Sequence, residues 1–306
     1  MSRLFETHRL SKRYGAKTVL KEVGLSVGPG HCVALLGHNG AGKTTLIKLL
    51  LGLTAPSAGQ VALLGQDPRS RQADQVRRAV GYLPESVTFP PGMTGREIMR
   101  FYARLKGAAP TQCDELLAQV DLADAARRRT KTYSKGMRQR LGLAQALLAE
   151  PRVLFLDEPT NGLDPPLRRK FYEVIRGLTD GGATALVSSH LLTEIEARAD
   201  LIAILCEGAL VAFGSLDELR EASRLPFRLR LQVRADSVGG IVEAIGRDYI
   251  PDKIDGGAID FLCPAPDKMA IVRRIARLNG VVQDLDILPP RLEEVYAHFV
   301  DERRRP

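Results

Sequence analysis

The sequence predicts an α/β domain followed by a smaller α+β domain, and two observations lead to this prediction. Over residues 1–220, short apolar runs alternate with amphipathic helical stretches, which is the pattern of a parallel sheet covered by helices. From residue 227 the apolar residues alternate at period two instead, as in half-exposed strands. A chain of 306 residues is long enough for two cores. We expect domains at residues 1–224 and 225–306.

The strands and helices of the first domain can be placed in order. Residues 31–36 predict a strand that runs into a glycine-rich turn, and residues 43–51 predict the helix after it. Residues 94–150 are mostly helical in pattern. Residues 153–156 and 183–187 are continuous apolar runs, which are typical of strands buried on both faces of a parallel sheet.

The second domain has shorter elements. The pattern predicts a strand at 227–233, a helix at 238–245, a strand at 259–262, a helix at 269–278, a strand at 281–288 and a helix at 291–300. We interpret this domain either as a dimerisation or regulatory module or as a stabilising appendage without a site.

Composition excludes several classes of protein. The net charge of +8 fits a nucleotide, nucleic acid or anionic membrane partner equally well. The four cysteines are far apart, without a C-x-x-C pair, so we expect reduced thiols rather than a disulfide framework or a zinc site. The longest apolar region, residues 201–216, is interrupted by Glu207 and Gly208 and is too short for a membrane span.

A phosphate-binding loop lies between the first predicted strand and helix. Its glycines let backbone N–H groups surround an anion at a helix N-terminus. Lys43 would reach the β- and γ-phosphates, and the Thr44 hydroxyl would bind Mg²⁺. The predicted nucleotide-binding residues are Gly37, His38, Asn39, Gly40, Ala41, Gly42, Lys43, Thr44 and Thr45.

Two carboxylates follow the apolar strand at 153–156. Asp157 is predicted to hold Mg²⁺ with Thr44, and Glu158 is placed to accept a proton from an attacking water. Adjacent acidic residues at a strand end are more often helix-capping charges. Their position directly after four apolar residues favours the catalytic interpretation.

A third motif lies between these two and brings a family resemblance with it. Its sequence is Tyr133-Ser134-Lys135-Gly136-Met137-Arg138-Gln139-Arg140, before an Ala/Leu-rich helix. Here the chain resembles the ATP-binding cassette (ABC) ATPases, whose signature is Leu-Ser-Gly-Gly-Gln. Ser134 and Gly136 match that signature, whereas Tyr133, Lys135 and Met137 depart from it. The resemblance implies a P-loop NTPase fold, with a RecA-like α/β core and a helical signature subdomain.

The same resemblance implies ATP hydrolysis with ATP and Mg²⁺ as cofactors. It also implies a head-to-tail homodimer in which Ser134 and Gly136 cap the partner's nucleotide. Tyr14 matches the aromatic residue that stacks on adenine, although it could be an ordinary strand-end tyrosine. His190 matches the histidine that senses the γ-phosphate, so we count it with Lys43 and Glu158 as catalytic. The run Asn161-Gly162-Leu163-Asp164 matches the family's dimer-contact loop.

One position departs from the usual pattern of the family. Glu85 stands where many cassettes have a glutamine that contacts Mg²⁺ or the attacking water and couples to the membrane subunit. A carboxylate can still accept a hydrogen bond from a metal-bound water, but it cannot donate one while ionised. We therefore expect Glu85 to keep the coupling role and to contact the metal through water at most. Residues 87–106 would form the groove for the permease, or be ordinary helix core.

A narrower resemblance is to the NosF group of cassettes, which support copper-site assembly in nitrous oxide reductase. It rests on residues 81–89, 101–108 and 131–148. This resemblance implies a NosY-like permease partner, possible association with a NosD-like periplasmic subunit, and a peripheral location at the cytoplasmic face of the inner membrane. The alternative is a soluble cassette ATPase that acts on a protein without a permease. Without sustained heptads or a second ATP site, nucleic-acid partners are disfavoured.

Overall fold

The computed structural model describes residues 3–71, 73–234, 237–245, 249, 251–278 and 281–304. The chain forms two units, Met1–Gly214 and Ser215–Pro306. Strands of the first unit are β1 (Phe5–Tyr14), β2 (Lys17–Val27), β3 (Cys32–Leu36), β4 (Ala58–Leu63), β5 (Val80–Leu83), β6 (Val153–Asp157), β7 (Thr184–Ser188), β8 (Leu201–Cys206) and β9 (Ala209–Gly214). Its helices are α1 (Lys43–Leu50), α2 (Asp74–Arg78), α3 (Gly95–Lys106), α4 (Thr111–Gln119), α5 (Lys135–Leu147), α6 (Pro165–Asp180) and α7 (Leu192–Glu196).

The central sheet of the first unit has the order β5-β6-β7-β3-β8-β9. All neighbouring strands are parallel except β8 and β9. Every residue of β3, β6 and β7 is buried, as the continuous apolar runs predict. Because parallel strands end at the same edge, the segments that follow β3, β6 and β7 meet there.

A second sheet of the first unit is antiparallel, in the order β2-β1-β4. It was not predicted from sequence. β1 is bulged at several places, and these register shifts break the regular alternation that would have indicated a strand. Its apolar side packs with α1 and one face of the central sheet, for example through Phe5 and Phe155, whose ring centroids are 5.6 Å apart.

Helices α3, α4 and α5 pack on the opposite face of the central sheet and form one core with α6. α3 starts with a capping box, in which the Thr94 hydroxyl accepts from the Glu97 N–H and the Glu97 carboxylate accepts from the Thr94 N–H. α5 is capped by Ser134, whose hydroxyl accepts from the Met137 N–H at 3.2 Å. Helices α3, α4 and α5 agree with the mostly helical pattern predicted for residues 94–150.

The second unit contains α8 (Leu216–Ser223), β10 (Phe227–Val233), α9 (Val238–Ile245), β11 (Pro251–Asp255), β12 (Ala258–Cys263), α10 (Lys268–Ala276), β13 (Val282–Leu288) and α11 (Leu292–Arg304). From β10 the order is β-α-β-β-α-β, and the antiparallel sheet has the order β11-β12-β10-β13, which is a ferredoxin-like arrangement. β11 was not predicted, because it is an edge strand with four exposed residues and no apolar alternation.

The units divide between Gly214 and Ser215, ten residues before the predicted boundary at 224. The difference comes from α8, which the sequence analysis assigned to the first domain. α8 packs against α11, and Arg220 on α8 donates through Nε to the carbonyl oxygen of Pro290 at 2.8 Å. A helix of eight residues depends on such packing for its stability. Within the described ranges, no helix is long and apolar enough to cross a membrane.

Candidate nucleotide site

The loop between β3 and α1 has the backbone conformation of an anion cradle. Gly40 and Gly42 have φ angles of 86° and 110°, a region that only glycine enters without strain. A Cβ atom on Gly42 would lie 2.6 Å from Leu20 Cδ2, and one on Gly37 would lie 2.7 Å from the carbonyl oxygen of Leu205. The glycines are therefore required here by conformation and by space.

Lys43, the first residue of α1, is almost entirely buried. Its Nζ donates to the carbonyl oxygen of Gly37 at 2.6 Å and lies 3.7 Å from Glu158 Oε1. The ammonium group thus bridges the start of the loop and the carboxylate that follows β6. A phosphate bound in the loop would therefore meet a positive charge whose position is already fixed at the edge of the loop.

Asp157, the last residue of β6, is held by hydroxyl groups from two other elements. Thr44 Oγ1 donates to Asp157 Oδ2 at 2.7 Å, and Ser188 Oγ donates to Asp157 Oδ1 at 2.7 Å. Burial, and secondarily the negative charge of Asp157, raises the pKa of Tyr82 on β5 to about 12, so this phenol stays protonated at neutral pH. The arrangement places the Asp157 carboxyl group as an oxygen ligand beside the hydroxyl of Thr44.

Glu158 has a left-handed backbone, with φ 47°, which is uncommon for a residue other than glycine. Its N–H donates to Ser188 Oγ at 2.8 Å, and its Oε2 lies 2.7 Å from His190 Nδ1. Strained backbone of this kind occurs most often at functional sites. The turn directs the carboxylate toward both Lys43 and His190.

These residues line one cavity of about 620 Å³ at the carboxyl ends of β3, β6 and β7. Most of the residues predicted for the site lie on its wall, namely Gly37, His38, Asn39, Gly40, Gly42, Lys43, Thr44, Thr45, Glu85, Asp157, Glu158 and His190. The tertiary structure therefore brings together four segments that are far apart in sequence.

Four predicted residues do not line this cavity. Ala41 belongs to the phosphate loop but is fully buried. Tyr14 is exposed at the end of β1, with Lys12 Nζ 4.7 Å from its ring centroid. Ser134 and Gly136 lie at the start of α5, next to Gly162: a Cβ on Gly136 would be 3.4 Å from the Gly162 carbonyl oxygen.

Sequence reasoning did not assign Lys17, Val19 or Ser188 to the site. Lys17 and Val19 on β2 line the cavity, but the bulged strands gave no signal for them. Ser188 contacts both Asp157 and Glu158. A serine that ends a buried apolar strand is unusual enough to have indicated such a role.

Comparison with known proteins agrees with this geometry. Residues 20–161 match the family model of the ABC transporter. Daunorubicin resistance ATP-binding protein DrrA3 of Streptomyces coeruleorubidus is 36% identical over 305 residues, covering 96% of this chain and 95% of that protein. The chain belongs to the ATP-binding subunits of ABC transporters.

Two further proteins are similar to this ABC subunit over about 70% of its length. Nod factor export ATP-binding protein I of Paraburkholderia xenovorans is 39% identical over 214 residues, covering 69% of this chain and 70% of that protein. A solved structure described as the ATP-binding subunit of an ABC transporter superposes with a TM-score of 0.68 at 33% identity, covering 72% of this chain and 92% of the other.

Family membership makes this ABC subunit an ATPase that uses ATP with Mg²⁺. The residues fit both: the cradle presents backbone N–H groups and an ammonium group, and Thr44 with Asp157 offers two oxygen ligands. Across the described part of the chain, no group of three or more His, Cys, Asp and Glu side chains could by itself hold a metal. Mg²⁺ usually needs only one or two protein ligands, with phosphates and water supplying the rest.

Proposed function

We propose that this chain is the ATP-hydrolysing subunit of an exporter of small organic molecules and works with a separate permease. The observation that supports this most strongly is the similarity to DrrA3, which spans nearly the full length of both chains and so includes the second unit. The relative named for Nod factor export supports export as the direction. The narrower copper-maturation hypothesis has no support among the relatives compared above.

The proposed roles of the site residues follow from their contacts. Lys43 and the loop N–H groups bind phosphate oxygens, and Thr44 with Asp157 holds Mg²⁺, which when bound neutralises phosphate charge. Glu158 accepts a proton from the attacking water. His190 orients the Glu158 carboxylate through the 2.7 Å contact, and Glu85 lies on the cavity wall, where it can accept a hydrogen bond from a metal-bound water.

The proposal also gives roles to three further residues and a location to the subunit. Tyr14 stacks on adenine. Its position supports this role, since Lys17, which pairs with Tyr14 across the two strands, lines the cavity. Ser134 and Gly136, which lie outside the chain's own cavity, act on the nucleotide of a second copy in a homodimer. The subunit lies at the cytoplasmic face of the membrane, where the permease completes the transporter.

Co-purification from the native host tests this proposal. A tagged Glu158→Gln variant keeps the nucleotide site but loses the base, so we expect it to retain a multi-span membrane protein in the presence of ATP and Mg²⁺. Glu115→Gln, which removes an exposed carboxylate on α4, is the matched control and should release that partner after hydrolysis. Recovery of soluble partners alone would favour an assembly ATPase and overturn the permease model.

A further inference from the structure

A second concavity, of about 350 Å³, lies on the first unit between α6 and the segment after α7. Its wall includes Cys32, Arg169, Tyr172, Arg176 and Arg198. Cys32 is the first residue of β3, whereas the phosphate loop follows the last residue of that strand. The pocket therefore lies at the opposite end of the central sheet from the nucleotide cavity.

Two of the three arginines on the pocket wall have no ion-pair partner among the described residues. The Arg176 guanidinium is paired with Asp180 and Asp200, each at 3.0 Å. Arg169 and Arg198 form no ion pair with any described residue. Glu173 contributes one carboxylate to the same wall, so two guanidinium groups without an ion-pair partner line the open volume beside it.

One of the two unpaired arginines is held in place. The Arg198 guanidinium lies 4.5 Å from the ring centroid of Tyr172, and Tyr172 itself is buried. Stacking on an aromatic face fixes the plane of a guanidinium and leaves its N–H donors free at the edge. Burial raises the pKa of Cys32 to about 12, so its thiol adds no negative charge to the pocket.

We propose that this pocket binds a phosphate oxyanion carried by a small organic group, with Arg169 and Arg198 as its principal ligands. Guanidinium groups form paired, charge-assisted hydrogen bonds with phosphate oxygens. A bound anion bridges α6, which carries Arg169, and the segment after α7, which carries Arg198. This site is separate from the nucleotide cavity, and the proposal does not depend on the transport function proposed above.

Isothermal titration of the full-length chain with glycerol 3-phosphate tests the site. Saturating ADP and Mg²⁺ keep the phosphate loop occupied, so that any heat reports a second site. We expect binding to the wild type and at least tenfold weaker binding in Arg169→Gln and Arg198→Gln, since each variant loses charge-assisted hydrogen bonds to the phosphate. Arg127→Gln, an exposed arginine outside the pocket, should bind as the wild type does.

A second arm separates a free metabolite from a lipid headgroup. Sedimentation with phosphatidylcholine vesicles that contain phosphatidic acid measures attachment to the same phosphate chemistry on a membrane. Binding of glycerol 3-phosphate that both variants lose supports a soluble ligand, and vesicle binding alone, lost in both variants, supports a lipid headgroup. Absence of both, or binding that is equal in wild type and variants of unchanged melting temperature, overturns the proposal.

Discussion

At the residue scale, the metal-binding carboxylate and the base are linked by one hydroxyl group. Ser188 Oγ donates to Asp157 Oδ1 and accepts from the Glu158 N–H. Both contacts are buried, so neither is replaced by water if the hydroxyl is removed. Asp157 would then be held from one side only, by Thr44.

We therefore expect Ser188→Ala to weaken Mg²⁺ binding about 10–100-fold, as is typical when a group that orients a metal ligand is lost. Titration of ATPase activity with Mg²⁺ at saturating ATP measures this effect. Ser189→Ala is the control, because Ser189 is equally buried but accepts from the Leu191 N–H instead. Equal Mg²⁺ dependence in the two variants would contradict the role of Ser188.

A second prediction concerns the 2.7 Å contact between Glu158 Oε2 and His190 Nδ1. If His190 acts mainly by orienting Glu158, we expect Glu158→Gln to lower the hydrolysis rate about 10²–10⁴-fold. His190→Ala should lower it too, and adding His190→Ala to Glu158→Gln should change it little further. Single-turnover rates of the three variants form the double-mutant cycle. Additive losses would show that the two side chains act independently.

At the element scale, Lys106 joins three elements of the first unit. It ends α3, and its Nζ donates to the carbonyl oxygens of Val80 at 2.9 Å, Ala146 at 3.4 Å and Leu148 at 3.2 Å. The ammonium group thus ties α3 to the start of β5 and the end of α5. Burial lowers the pKa of Lys106 to about 8, below its ordinary value near 10.5.

This shift predicts a pH dependence of stability. Between about pH 8 and pH 10.5 the unfolded chain binds more protons at this lysine than the folded chain does, so the contribution of Lys106 to the free energy of unfolding rises with pH across that window. The contribution is complete above the unfolded pKa and is lost as pH falls through about 8. Urea unfolding of the wild type and of Lys106→Met should show a difference in the free energy of unfolding that grows in favour of the wild type across this window, since other groups such as Cys32 titrate alike in both.

The same variant should also be less stable at pH 7, by about 1–3 kcal/mol, because three carbonyl groups lose a donor. Lys131→Met, which removes an exposed lysine, is the control for the loss of a charge. A difference between the wild type and Lys106→Met that stays constant between about pH 8 and pH 10.5 would contradict the assignment of this titration to Lys106.

At the scale of the whole molecule, the two units have separate apolar cores. The second unit also contains an ion pair with a buried carboxylate, in which the half-exposed Arg230 contacts both oxygens of Asp260, at 2.8 and 2.9 Å. Asp260 is 3% exposed. The hydrogen bond from Arg230 is the main cause that lowers the pKa of Asp260.

Separate cores predict two thermal unfolding transitions. ADP with Mg²⁺ should raise only the transition of the first unit, because a ligand stabilises what it binds. Asp260→Asn should lower only the other transition, by about 1–2 kcal/mol. Asp286→Asn is the matched control, since Asp286 faces Arg230 from the other neighbouring strand but is exposed, and it should change stability by about 0.5 kcal/mol or less. A single transition that moves with both changes would contradict this picture.

The sequence alone determined the parts of the protein whose chemistry is local. These parts are the phosphate loop, the Asp157-Glu158 pair and the buried strands at residues 153–156 and 183–187. Each consists of consecutive residues, and a loop conformation or a buried strand constrains every position within it. The α/β class and the ABC resemblance followed from the order of such segments. The copper-maturation hypothesis rested on stretches that contain no catalytic or ligand-binding motif, and the named relatives do not support it.

Tertiary structure decided what depends on contacts between distant segments. The bulged strand β1 and the exposed edge strand β11 lack a regular apolar pattern, so their pairing partners, rather than their own residues, make them strands. The boundary moved to Gly214 because α8 packs on α11. The contacts of Ser188 were settled only when β7 was placed beside β6, since a serine at the end of a buried strand indicates a polar role but not which carboxylate it contacts.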